Sequence, residues 1–175
     1  MTYLRYAAWT VGALAGVAAL VVGVGWLLPV KHRAVRRATI PAQPAEVYAL
    51  LTDVARFPGW RSKVARIDLL PDENARQPYR EVGGDGAITY VVDEAVADRR
   101  LVTRIADRTL PFGGRWVYEL TPVAGGTELR ITEEGEVYNP LFRAVSRFVI
   151  GHTATVDRFL RDVGRRFGHD VEVTG

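Results

Sequence analysis

With 175 residues, 23 basic against 20 acidic side chains and a net charge of +3, the chain has room for one folded domain, and its charge balance gives nucleic-acid binding no support. Cysteine is absent, which excludes a disulfide framework, thiolate metal sites and a cysteine nucleophile. The hydrophobic share of 48% is spread unevenly, because the first thirty positions are densely apolar.

From Ala7 to Val30 no ionisable residue occurs. As a helix this stretch reaches roughly 36 Å, enough to span a bilayer with some tilt. A secretory signal fits less well, since its apolar region usually runs to only about 7–15 residues and no small-residue cleavage motif precedes Lys31. Trp9 with Tyr3 and Tyr6 at one end, and Trp26 at the other, are placed as interfacial anchors. Lys31, Arg33, Arg36 and Arg37 follow the span while only Arg5 precedes it, so the positive-inside bias puts the remainder of a single-pass protein in the cytoplasm. Those cations also suit anionic lipid headgroups, at about 1 kcal/mol per charge. Gly12 and Gly16 form a GxxxG pair that allows two anchors to associate as a homodimer. Residues 1–30 are thus read as a transmembrane anchor and 31–37 as a basic juxtamembrane linker, leaving 38–170 for a folded domain and 171–175 for a flexible tail.

A short strand is expected at 37–40, and an amphipathic helix over 45–54 carries Val47, Leu50, Leu51 and Val54 at helical spacing. After an aromatic turn at 56–60 the period changes to two. Strands are expected near 63–71, 78–83, 86–96, 100–108, 114–122 and 127–137, divided by Gly- and Asp-rich turns short enough for antiparallel hairpins. Pro140 opens a last helix reaching about Phe167, with Leu141, Val145, Phe148, Val149, Val156, Phe159, Leu160 and Val163 on one stripe and the pairs Asp157/Arg161 and Asp162/Arg166 facing solvent. A single sheet with one apolar face must bury it, and this helix is the element of matching length. The fold class is therefore α+β: a curved antiparallel sheet of about seven strands around a long C-terminal helix, the helix-grip arrangement, plus the N-terminal membrane helix.

The segment at 40–64, with its strand, helix and aspartate-to-tryptophan turn, and the segment at 126–135 followed by a long helix, resemble the SRPBCC superfamily. That group includes START domains, polyketide cyclases and the birch-pollen allergen type. The resemblance covers about 35 to 170 and implies a cavity between sheet and helix for a lipid, sterol, polyketide or other apolar molecule, with catalysis in only some members.

Alternation along 114–122 turns Trp116, Tyr118 and Leu120 inward, and the same parity groups Tyr90 with Ile88 and Val92. Tyr90, Trp116 and Tyr118 are accordingly candidate ligand contacts. Glu133 falls on the apolar face when counted by two from Leu129 and Ile131, unless a bulge near Gly135 rotates it outward. His152 continues the stripe of the last helix, where it is either a satisfied core histidine or a cavity residue, with Gly151 beside it leaving room for a guest. No metal-binding histidine spacing, nucleophile elbow, phosphate loop or dinucleotide fingerprint occurs, so no metal or cofactor is expected. The main expectation is a membrane-tethered binder of an apolar small molecule, with the lipid bilayer as its other partner. The alternatives are a cyclase-like enzyme using Glu133 and His152 as acid and base, and an accessory module acting through protein contacts with a filled interior.

Overall fold

The computed structural model describes residues 2–71, 77–84, 86–151 and 153–175. An N-terminal helix, α1 (Thr2–Leu27), leads into β1 (Lys31–Ile40). The helix α2 (Pro44–Thr52) follows, then a 3-10 turn (Val54–Gly59). Six further strands come next: β2 (Val64–Leu69), β3 (Tyr79–Gly83), β4 (Gly86–Val96), β5 (Arg100–Ile105), β6 (Phe112–Val123) and β7 (Gly126–Val137). The C-terminal segment contains α3 (Pro140–Val145), a π-helical turn (Ser146–Ile150) and α4 (Ala154–Arg166).

The seven strands form one antiparallel sheet in the order β1-β7-β6-β5-β4-β3-β2, a meander whose first strand joins the last. Register shifts between Val92 and Glu94 and between Val64 and Arg66 bend it. On its inner face α2 supplies Val47 and Leu51, and α4 supplies Val156, Leu160 and Val163, to a core completed by Ile40, Leu101, Leu120, Leu129 and Ile131. Each such aliphatic side chain contributes about 1.5–3 kcal/mol on burial. Phe57, Val64 and Tyr79 form a smaller cluster toward β2. The expected α+β helix-grip class is what the chain adopts.

Four local expectations need correction. The basic run at 31–37 is no linker, because β1 begins at Lys31 and pairs with β7 from the Lys31–Glu136 position onward. The acidic partners on β7 explain this: Lys31 meets Glu136 at 3.6 Å and Arg37 meets Glu128 at 3.7 Å, so the strand's charges are matched across the ladder. The tail is also held, since Thr174 exchanges two backbone hydrogen bonds with Arg37 on the β1 edge, and Val171 and Val173 pack on the core.

The long C-terminal helix is interrupted. Asn139 caps α3 by accepting the Phe142 N–H at 3.1 Å, the turn then widens, and Gly151 at φ +80° takes a backbone conformation that L side chains avoid. Only the α4 half of the expected stripe is buried; Leu141, Phe148 and Val149 are exposed. Finally, Asp162 does not face solvent. It is buried, accepts the backbone N–H and hydroxyl of Ser62 at 2.9 Å each, and bonds Arg165, so it ties α4 to the turn before β2. Asp157 pairs with Arg36 of β1 at 3.0 Å.

Candidate functional site

Between the open end of the sheet, α4 and the π turn lies a cavity of 410 Å³. Its wall is built by strand parity. The register places Glu133 between Ala34 and Trp116, Trp116 beside Thr103, and Tyr90 between Tyr79 and Ile105. β7 pairs without a shift with β1 from Thr127 to Glu136 and with β6 from Gly126 to Val137, so no bulge rotates Glu133 outward, and Glu133 lines the cavity.

The aromatic rings form a continuous wall. Tyr79 stacks on Tyr90 at 5.5 Å, Tyr90 meets Trp116 edge-on at 5.7 Å, and Tyr118 leans on Phe159 of α4 at 5.5 Å. Tyr90 and Trp116 border the main cavity, whereas Tyr118 lines a smaller neighbouring pocket of 40 Å³ that shares Arg61, Glu81, Tyr90 and Trp116 with it.

Arg61 is the central cation. Its guanidinium lies 5.0 Å from the ring centres of both Phe57 and Phe159 and is hydrogen-bonded to Glu81 of β3. Burial works against its charge, but Glu81 and the surrounding tyrosine oxygens outweigh that effect and raise its pKa, so Arg61 stays cationic. Burial pushes the Tyr118 hydroxyl up to about 12, although Arg61 and a hydrogen bond with Thr103 pull the other way. Burial likewise raises Tyr79 and Tyr90 well above the ordinary tyrosine value. All three are neutral hydroxyls near neutral pH and cannot serve there as bases.

Glu133 is 9% exposed, and its Oε2 is buried without a hydrogen-bond partner among the described residues. Its Oε1 lies 3.5 Å from His32 Nε2 of β1. His32 faces Gly135 across the ladder, where a Cβ would come within 2.2 Å of the imidazole, so the ring depends on that glycine.

Of the expected site residues, the structure brings Tyr90, Trp116 and Glu133 to one cavity and Tyr118 to the smaller pocket beside it. His152 lies outside the described residues; its neighbour Gly151 borders the cavity mouth. Sequence reasoning missed Arg61, Glu81 and His32. Counting by two from Tyr79 would have turned Glu81 inward, and extending β1 to Lys31 would have done the same for His32. Arg61 sits in a turn, where no periodicity signals direction.

The family model described as polyketide cyclase / dehydrase and lipid transport matches residues 31–168. The chain belongs to this family. Among solved structures it resembles a START superfamily protein from Mycobacterium smegmatis, with a TM-score of 0.63 and 13% identity over 78% of this chain and 97% of that one. It also resembles a protein from Thermus thermophilus, with a TM-score of 0.60 and 22% identity over 78% of this chain and 96% of that one. A di-domain ARO/CYC from the BE-7585A biosynthetic pathway matches with a TM-score of 0.60 and 18% identity over 97% of this chain and 60% of that one. At these identities the likeness is one of fold. No curated protein matches the chain significantly. The N-terminal helix is long and apolar enough over Trp9–Leu27 to cross a membrane, a test that a signal sequence also passes.

Proposed function

We propose that the protein is a membrane-tethered binder of an apolar or amphipathic small molecule, of lipid, sterol or polyketide-like class, held between the sheet and α4. The observation that carries this reading is a 410 Å³ aromatic-walled cavity lined by Glu133, whose carboxylate oxygen Oε2 is buried with no hydrogen-bond partner among the described residues. That volume falls within the ordinary range of small-molecule pockets, about 300–1,000 Å³. An apolar ligand body fits against Tyr90 and Trp116, a ligand hydroxyl donates to Glu133, and a ligand acceptor meets Arg61.

In this reading α1 spans the bilayer, Trp9 and Trp26 mark its interfaces, and Lys31 and Arg33 stand at the cytoplasmic headgroups. Gly12 and Gly16 have nothing within 4 Å of where a Cβ would stand, which supports, with their spacing, pairing of two anchors; crosslinking in the membrane tests that contact. Native mass spectrometry of the full chain after mild detergent extraction tests the binding itself. A copurifying apolar species is expected; an empty protein whose melting temperature is unmoved by fatty acids, sterols and polyketides rejects it.

A second reading, acid/base catalysis on the bound molecule, is favoured by the His32–Glu133 pair at 3.5 Å inside the cavity. Glu133 then takes a proton from an activated carbon of the substrate and His32 positions the carboxylate. Glu133→Gln and His32→Ala should each abolish turnover without unfolding the domain; unchanged turnover in both ends this reading.

A further inference from the structure

The junction between α1 and the domain is fixed by one buried arginine. Arg143 of α3, 7% exposed, donates from Nη1 to the carbonyls of Gly25 at 3.0 Å and Leu28 at 2.8 Å, from Nε to Val137 at 3.0 Å and from Nη2 to Tyr138 at 3.1 Å. Two of these acceptors stand at the C-terminal end of α1, where helix carbonyls lack intrahelical partners and the dipole favours a cation. Gly25 makes the approach possible, since a Cβ there would lie 1.9 Å from the Pro140 carbonyl oxygen. Only residues 28–30 separate α1 from β1. Three extended residues reach about 10 Å, so the domain has little freedom to swing away from the end of the helix.

Beside this junction Leu141, Phe148 and Val149 are 48%, 67% and 77% exposed, with Arg147 exposed among them and Trp26 and Leu27 exposed on α1. The same segment lines the cavity: Phe142 stacks on Phe112 at 5.9 Å, and Phe142, Ser146 and Gly151 are among the lining residues.

We infer that α3 and the π turn form a membrane-contacting portal, with Leu141, Phe148 and Val149 inserted among lipid acyl chains, Arg147 at headgroup level, and Arg143 holding the surface in place. The occupant is the bilayer, because Pro140 packs on Gly25 and Arg143 binds the carbonyls of Gly25 and Leu28, so α3 and the π turn that directly follows it are held beside the last turn of α1. Large apolar side chains at this exposure are disfavoured in water and suited to the interface. The portal rests on the reading of α1 as a span, and it gives the proposed ligand a path from the bilayer past Phe112 and Phe142.

The absence of cysteine permits a direct test. Single variants Phe148→Cys, Val149→Cys and, as a reference at the far end of β6, Val123→Cys are nitroxide-labelled in the full chain. They are reconstituted in vesicles of phosphatidylcholine and phosphatidylglycerol, and collision with oxygen is compared with collision with a water-soluble nickel chelate. Labels at 148 and 149 should favour oxygen several-fold more than the label at 123; equal ratios overturn the portal. In Arg143→Gln, folded by circular dichroism, the 148 label should move toward water. A label that stays buried in lipid in that folded variant overturns the holding role of Arg143, and if the variant does not fold, the wild-type comparison still decides the portal. Lipid copurification separates the two readings: a water-exposed 148 label in a lipid-loaded protein sinks the portal alone, whereas an inserted label in an empty protein sinks ligand binding alone.

Discussion

The two ends of the sheet use the same strands in opposite ways. At the closed end Leu120 faces Leu129, and Ile40, Val47 and Leu160 are fully buried in the core. At the open end, four residues further along β6 and β7, Trp116 faces Glu133, and the inner face carries His32, Arg61 and Glu81 around empty volume. The C-terminal segment divides likewise, with α4 buried on the closed end and α3 with its exposed apolar residues over the mouth. The contrast teaches that stability is concentrated at one end so that the other can hold polar groups and space that reduce it.

Leu160→Ala should break this division most severely. The side chain is fully buried, so its removal is expected to cost about 3–5 kcal/mol in urea denaturation of the full chain in detergent, while Trp116→Ala at the cavity wall costs less. Arg61→Leu comes next, at about 3 kcal/mol, because it removes the guanidinium that is hydrogen-bonded to the buried Glu81 carboxylate. A double Arg61→Leu/Glu81→Leu variant should recover most of that loss, and a double-mutant cycle checks it.

Alkaline titration sharpens the comparison. Tyr118 titrates near 12 when folded and near 10 when unfolded, so the unfolded chain gives up its proton first. Stability is therefore intact below pH 10 and falls as pH rises from 10 through 12, by up to about 2 kcal/mol, and Tyr118→Phe should flatten that slope in urea midpoints taken across the window. Tyr79 and Tyr90, also raised, add to the same loss. The smallest effect is expected for Glu133→Gln. It replaces a buried carboxylate, one oxygen of which has no hydrogen-bond partner among the described residues, with an amide, so the melting temperature should hold steady or rise, within about 1 kcal/mol, while retention of copurified ligand declines.

Alternation of apolar residues along β4, β6 and β7, the amphipathic pattern of α2 and the buried stripe of α4 were all legible in the chain itself. So was the inward direction of Tyr90, Trp116 and Glu133, because parity within one strand needs no partner. The break at Gly151 was not, because Leu141, Phe148 and Val149 fit a helical stripe as well as any core residue; their exposure depends on what covers them. Asp162 misled for the converse reason, since its distance from Arg166 suggested a surface pair and its true partner, Ser62, stands 100 residues away.

By itself the sequence determined the apolar N-terminal helix, the order of strands and helices, and which face of most strands is apolar, since these follow from local composition and from periods of two and 3.6. Only the tertiary structure decided that His32 meets Glu133, that Arg61 meets Glu81 and that Arg143 grips the end of α1. Those meetings depend on register and on packing between distant segments, where a shift of one residue would turn each side chain to the opposite face.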